Sequence, residues 1–250
     1  MDKIKKVLIN RFGKKFYFRG SDVHTKFGVI KEQDIVKAKD GDVVKSNMNE
    51  EFFIISPSFL DVYKKIKRSP QIIPLKDLAV IVSETGVNKE SMVVEAGTGS
   101  GASACFFANL VKEVITYEIR QDFLEIAKEN IEFLGLKNIT VKNNDIYNGI
   151  DEGDVDLILL DLPEPWKAIE PAIKSLKTGG FIVAYSPTIP QISDFAEEAR
   201  KRNELLVLKI SEISEREWEA KERKVRPKSQ AIGHSGFMVF VRKVGKEKEQ

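Results

Sequence analysis

Three glycines and four acids stand where this chain could do chemistry. Gly97, Gly99 and Gly101 fall within VVEAGTGSG, between an apolar run and a helix-like segment. Glycine lets backbone approach a ligand closely, and a helix start leaves N–H groups free. The spacing is G-x-G-x-G; the third glycine of the dinucleotide fingerprint G-x-G-x-x-G would fall at Ala102, a replacement that fold tolerates. The spacing alone does not separate a ligand loop from a tight turn. The acids sharpen it. Glu95 precedes the loop, Glu118 ends the next strand-like run 21 residues after Gly97, and Asp145 follows the third. The fourth, Asp161, ends VDLILLD and is followed at once by Leu-Pro-Glu-Pro-Trp, a corner stiffened by Pro163 and Pro165.

An acid at Glu118 can accept hydrogen bonds from both ribose hydroxyls, and one at Asp145 can bond an adenine amino group. Acids after each of the first three strands are the arrangement of an S-adenosylmethionine (AdoMet) site. AdoMet has no pyrophosphate, and its sulfonium is cationic, so an acidic lining suits it. An NAD enzyme stays open, although the α/β part offers no candidate histidine or lysine for hydride chemistry. Asp161 at a strand end also reads as an ordinary turn aspartate; its place beside the loop is what makes it a catalytic candidate.

The elements that position these residues come in two styles. Residues 1–68 carry short strand-like runs, KFYF, FGVIK, GDVVKS and EFFIIS, with Asp40-Gly41 as a tight hairpin turn. A small all-β domain is predicted there. Ser56-Pro57 opens a short helix and Ser69-Pro70 ends it, which places the domain boundary at 68/69. Over residues 69–250 strands and helices alternate: LKDLAVIVSETG is a helix closed by Gly86, SMVVEAG a buried strand, QDFLEIAKENIEFLG an amphipathic helix, and ELLVLKISEI and GFMVFVRK closing strands. The expected fold is α/β, a doubly wound, mostly parallel Rossmann-like sheet.

Composition bounds the rest. The chain has 250 residues, 42% hydrophobic and 31% charged, enough for a sizeable core. No apolar run approaches membrane-spanning length, and the basic N-terminus lacks the apolar stretch of a signal peptide, so no membrane association is expected. A single cysteine, Cys105, fits a reducing, cytoplasmic setting and an inert core position. One cysteine and two histidines leave few zinc ligands, and no metal is expected. Residues 1–31 hold nine Lys/Arg against Asp2 and Asp22, whereas residues 145–170 hold eight Asp/Glu against Lys167. A basic arm hints at a polyanionic partner, with a solvated surface as the plainer reading.

Taken together, the motifs resemble the tRNA (adenine-N1)-methyltransferase family, which makes 1-methyladenosine in the T-loop, over nearly the whole chain. VVEAGTGSG is similar to its AdoMet loop, TYEIRQDF to its ribose segment, NNDIYNG to its adenine segment, DLPEPW to its catalytic motif and RPKSQAIGHSGFMVFVRK to its C-terminal signature. The resemblance implies a class I methyltransferase acting on tRNA at adenosine 58, and in some archaeal members also 57. It implies AdoMet held by Gln71, Glu95, Gly97, Gly99, Ser100, Gly101, Glu118 and Asp145, with Asp161 as the catalytic aspartate and a homotetrameric assembly. Trp166, Arg226 and His234 are the candidates for substrate contact; Trp166 also reads as a core or lid residue, and His234 as the organiser of its turn. The chain departs from the family at Pro74-Leu75-Lys76-Asp77, where an aromatic or histidine commonly precedes Pro-Lys-Asp. Phe27, Trp166 and Tyr185 are the rings that could replace it, and the sequence does not choose among them. The basic stretch within Glu215–Ser229, with Lys64, Lys65, Lys67 and Arg68, is read as a tRNA backbone contact, against a solvated mixed-charge helix. Two other readings stay open: a non-catalytic tRNA-binding subunit, and a class I methyltransferase acting on a protein or small molecule.

Overall fold

The computed structural model describes residues 2–68, 71–230 and 233–245. Its contacts divide into two compact units, Met1–Ile66 with Glu132–Gly135, and Lys67–Ile131 with Leu136–Gln250.

In the first unit, β1 (Lys6–Asn10), β2 (Lys15–Phe18), β5 (Val43–Lys45) and β6 (Glu51–Ile55) form an antiparallel sheet of order β2-β1-β6-β5. A separate hairpin pairs β3 (Val23–Thr25) with β4 (Gly28–Ile30). Leu8, Phe18, Phe52 and Ile54 meet Ile30 and Ile35 in one apolar core. The predicted strands are present, but the unit also contains α1 (Glu32–Lys37), whose Ile35 alone is buried. Six residues with one core contact leave too short a pattern for helical periodicity to show. Asp40-Gly41 therefore joins α1 to β5 rather than two strands; Gly41 takes φ 93° and donates to Ile54 O at 2.9 Å. The short helix α2 (Phe59–Tyr63) starts from a reciprocal cap between Ser58 and Asp61.

The second unit is built on a seven-stranded sheet. Its strands are β7 (Met92–Ala96), β8 (Glu113–Tyr117), β9 (Ile139–Lys142), β10 (Val155–Leu160), β11 (Leu176–Ser186), β12 (Leu205–Glu212) and β15 (Phe237–Lys243). Their order is β12-β15-β11-β10-β7-β8-β9. The neighbours from β11 through β9 run parallel, and β15 lies antiparallel between β11 and β12. Helices α3 (Leu75–Thr85), α4 (Ala102–Ala108), α5 (Gln121–Leu134), α6 (Ile169–Ser175) and α7 (Ile189–Arg200) complete the unit. The central parts of β10 (LILL, 157–160) and β11 (FIVAY, 181–185) read as continuous apolar runs because both faces of a parallel sheet are covered. One apolar cluster gathers Ile158, Leu160 and Phe195, the other Leu157, Leu159 and Phe107, so alternate residues of β10 feed opposite faces.

Between β12 and β15 the charged stretch forms a hairpin of β13 (Trp218–Lys221) and β14 (Lys224–Pro227). The helix considered for it does not form. Alternation of Trp218, Ala220 and then Val225 with charged neighbours is a strand period, and Glu222 at φ 57° makes the turn. No helix among the described residues is long and apolar enough to cross a membrane.

Candidate active site

Strand order sets where a ligand can sit. β7 has β8 on one side and β10 on the other, and in an open α/β sheet the crevice forms at the carboxyl ends where the chain order reverses. Ala96 lies in register with both Tyr117 and Leu160, so the next residues, Gly97, Glu118 and Asp161, emerge side by side.

Gly97 cannot be replaced without moving this edge. It takes φ 89°, and an added Cβ would lie 2.1 Å from the carbonyl oxygen of Asp161. Asp161 N donates to Ala96 O at 3.0 Å, which fastens the same two strands. Gly99 and Gly101 also take positive φ, 51° and 73°. The loop they form is tied down from several sides. Gly99 N donates to Glu118 Oε2 at 3.0 Å. Thr98 and Thr116 share a hydroxyl hydrogen bond of 2.5 Å. The wholly buried Asn130 of α5 donates to Ser100 O at 2.8 Å and to Lys67 O at 2.7 Å. Ser100 Oγ, by contrast, is buried with no hydrogen-bond partner.

The four acids differ in what they do. Glu95 is fully buried; it accepts from Thr116 Oγ1 at 3.0 Å and from Ser103 Oγ, so it binds α4 and β8 to β7. Burial pushes its pKa up to about 7, and the charges of Asp161 and Glu118 add to the shift. Glu118 is also nearly buried, with Gly99 N on one oxygen and Arg120 N on the other, both at 3.0 Å. Each oxygen keeps a second lone pair for a further donor. Asp145 is half-buried and caps the turn at Ile146–Asn148, accepting from Tyr147 N at 2.9 Å. Asp161 is half-buried, and its carboxylate makes no hydrogen bond or ion pair among the described residues. Burial raises its pKa to about 7. Among the described residues none of these four carboxylates meets a lysine, arginine or histidine in an ion pair, although such pairs are frequent elsewhere. Acids gathered without a cation favour a ligand that brings positive charge and hydrogen-bond donors.

The corner after Asp161 is held by its neighbours. Gln191 Nε2 donates to Pro163 O at 2.9 Å, and Trp166 packs half-buried against the core beside Leu162. Tyr185, one of the rings considered for the base, is 1% exposed and is not available for stacking. Its hydroxyl donates to Asp77 Oδ2 at 3.0 Å, and an added Cβ on Gly236 would lie 2.4 Å from its ring. Asp77, fully buried, also accepts from Ser235 Oγ at 2.8 Å and from Lys76 Nζ at 2.7 Å. The sequence reading misses this cluster, although it carries a signal for it: Asp77 shares the apolar face of α3 with Leu78 and Ile81, and a carboxylate there requires partners.

The remaining predicted residues lie elsewhere. His234 bonds Glu212 through Nδ1 at 2.6 Å and Pro187 O through Nε2 at 2.9 Å. Glu212 raises the pKa of His234, and with both ring nitrogens within hydrogen-bond distance of these oxygens the ring ties the end of β12 to the turn after β11. Arg226 sits on β14, exposed and paired across the hairpin with Glu219. Gln71 is exposed in the extended segment before α3. Cys105 is buried, with a thiol pushed up to about 12. Among the described residues no cluster of His, Cys, Asp and Glu could hold a metal ion.

A sheet of this order, with the glycine loop after its first strand and acids after the second and fourth, defines a class I methyltransferase. The solved structures agree. A protein of Thermotoga maritima described as a SAM-dependent O-methyltransferase superposes with TM-score 0.88 at 26% identity, covering 100% of this chain and 96% of that one. The tRNA (m1A58) methyltransferase TrmI of Aquifex aeolicus superposes with TM-score 0.82 at 28% identity, covering 98% and 99%. A curated relative, the tRNA (adenine(57)-N(1)/adenine(58)-N(1))-methyltransferase TrmI of Methanocaldococcus jannaschii, is 34% identical over 95% of this chain and 94% of its own. Residues 63–235 match the family described as tRNA methyltransferase complex GCD14 subunit. The chain belongs to this tRNA methyltransferase family.

Proposed function

We propose that this chain methylates adenine N1 in the T-loop of tRNA, at position 58, with 57 as the alternative or additional target, and with AdoMet as donor. The observation that carries the reading is the Asp161 carboxylate: raised in pKa, without a partner among the described residues, and packed through its backbone against Gly97.

The residues around the loop fit AdoMet. Ser100 Oγ lacks a partner, Glu118 has lone pairs left, and the acids face no cation. Gly97, Gly99, Ser100 and Gly101 would border the methionine end, Glu118 the ribose and Asp145 the adenine edge. Glu95 would act through Ser103 and Thr116, since it is fully buried and holds both hydroxyls. When bound, AdoMet supplies an activated methyl group on a cationic sulfur. The protein's task is then alignment of the adenine with that methyl group. Asp161 accepts a hydrogen bond from the exocyclic N6 amino group, orients N1, and stabilises the positive charge that grows on the ring. A carboxylate with a pKa near 7 can also take the N6 proton as its acidity rises. A tRNA keeps this base inside its T-loop, so the base must be extruded first.

Retention of both the glycine loop and Asp161 favours a catalytic chain over a non-catalytic tRNA-binding subunit. A boundary at 68/69, a homotetrameric assembly and a cytoplasmic location complete the proposal. Incubation with unmodified tRNA and labelled AdoMet, followed by nucleoside mapping, tests it. Label at N1 of a T-loop adenosine is expected; label in protein or on another base would overturn it.

A further inference from the structure

The N-terminal unit carries an exposed aromatic ring stacked on a half-buried one, beside two lysines that have no acidic partner among the described residues. Phe12, 71% exposed, lies at the β1–β2 turn and Phe27 at the β3–β4 turn. The rings stack with centroids 6.0 Å apart at 18°. Lys14 Nζ and Lys26 Nζ stand 5.8 and 5.2 Å from the centre of the Phe27 ring. Most other basic residues of this region are satisfied: Arg11 by Glu51, Lys15 by Asp61, Lys31 by Asp22, and Lys6 by carbonyls at the end of α1. Lys14 and Lys26 pair with no carboxylate among the described residues, and the nearby Lys26 holds the Lys14 pKa below its usual value. Two cations crowded at one ring are relieved by an anion between them.

The turns that present these groups are locked. Asn10, 2% exposed, accepts from Phe12 N at 3.1 Å and Lys14 N at 3.0 Å through one side-chain oxygen. Phe27 N donates to Thr25 Oγ1 at 2.9 Å, and Ser46 Oγ donates to Phe27 O at 2.7 Å. Little backbone freedom is left to lose on binding, and most of the Phe12 ring is open to solvent. An open aromatic face beside paired ammonium groups is the chemistry that takes a splayed base and its phosphate, and it cannot use a base stacked within a duplex.

We infer that Phe12, Phe27, Lys14 and Lys26 form a second RNA contact, which stacks an unpaired base on Phe12 and holds the adjacent phosphate between the lysines. This rests on the tRNA reading above. The test uses the full chain, an unmodified tRNA transcript and a short single-stranded oligoribonucleotide, with affinity measured at several salt concentrations and steady-state rates alongside. Phe12→Ala should weaken both RNAs about 5- to 10-fold, with KM for tRNA rising to match and kcat at saturating tRNA retained. Phe12→Trp should restore affinity. Lys14→Gln with Lys26→Gln should lower the slope of log affinity against log salt by about 1. Unchanged affinity and slope in all variants would remove the site and leave the methyltransferase reading intact. A fall in kcat at saturating tRNA, or a change in oligomeric mass by light scattering, would equally overturn it, by assigning the rings to the reacting base or to a second copy of the chain. Failure of the wild type to methylate tRNA would instead sink the function, while oligonucleotide binding would still judge the patch.

Discussion

At the scale of single residues, Asp161 carries the sharpest consequences. Asp161→Ala should reduce methyl transfer by about 100-fold or more while AdoMet still binds, measured by single-turnover labelling and by titration. Wild-type turnover would remove the carboxylate from the mechanism. Its raised pKa also has a stability cost with a definite sign. The folded carboxyl titrates near 7 and the unfolded one near its ordinary value, so ionisation favours the unfolded chain as pH rises between them. Asp161→Asn should therefore melt a few degrees higher than wild type at pH 8, with the difference gone near pH 3. Gly97 is the other fixed point. Gly97→Ala places a methyl against a main-chain carbonyl that cannot swing away, so strands β7 and β10 must part. A loss of about 2 kcal/mol or more is expected by urea unfolding, together with loss of AdoMet binding.

Between elements, the buried Asp77 cluster joins α3, β11 and the segment before β15. Lys76 Nζ reaches Asp77, Ser235 and Ile213 O, all within 2.7 Å, and Tyr185 closes the set. A fully buried carboxylate is stable there only because each oxygen is satisfied. Asp77→Ala strands the Lys76 ammonium and the Tyr185 hydroxyl together, so it should cost about 3 kcal/mol, whereas Tyr185→Phe removes one bond and should cost about 1 kcal/mol. Equal costs would mean that the hydroxyl, not the ion pair, holds the cluster. The same cluster shows where reading the chain reached its limit. The glycine loop and the acids at Glu118 and Asp161 were legible because they follow apolar runs at fixed offsets, and strand order then brings them together. Asp77, Tyr185 and Ser235 are separated by 108 and 50 positions, and only tertiary packing makes them neighbours. Asn130 was hidden likewise, a polar residue in the middle of an otherwise ordinary amphipathic helix. The hairpin β13–β14 leaves a helix open as an alternative in the sequence because its many charges partly mask a two-residue period.

For the whole molecule, charge is distributed against the grain of its small net value. The carboxyl edge of the large sheet concentrates unpaired acids, which suits a cationic donor and would repel a phosphate. Polyanion binding must therefore draw on cations, and among the described residues Lys14, Lys26, Arg223 and Lys224 pair with no carboxylate. The hairpin β13–β14 presents nearly all of its side chains to solvent, with Arg216 set over the Trp218 ring at 5.5 Å. Several of its charges are internally neutralised, Arg226 by Glu219 and Lys228 by Glu217. Arg223 and Lys224, at the turn, pair with no carboxylate among the described residues, nor does the neighbouring Lys221, so these hairpin residues have charge to spend on a phosphate. Arg223→Gln with Lys224→Gln should weaken tRNA binding and flatten its salt dependence by about 1 to 2 in slope, without altering AdoMet affinity. Arg226→Gln alone should do little, because it also frees Glu219 to repel the backbone only at the exposed rim, where such terms are small. If the turn variant keeps the full slope while Arg226→Gln loses it, the ion pair opens on binding and the hairpin meets RNA through its face rather than its tip.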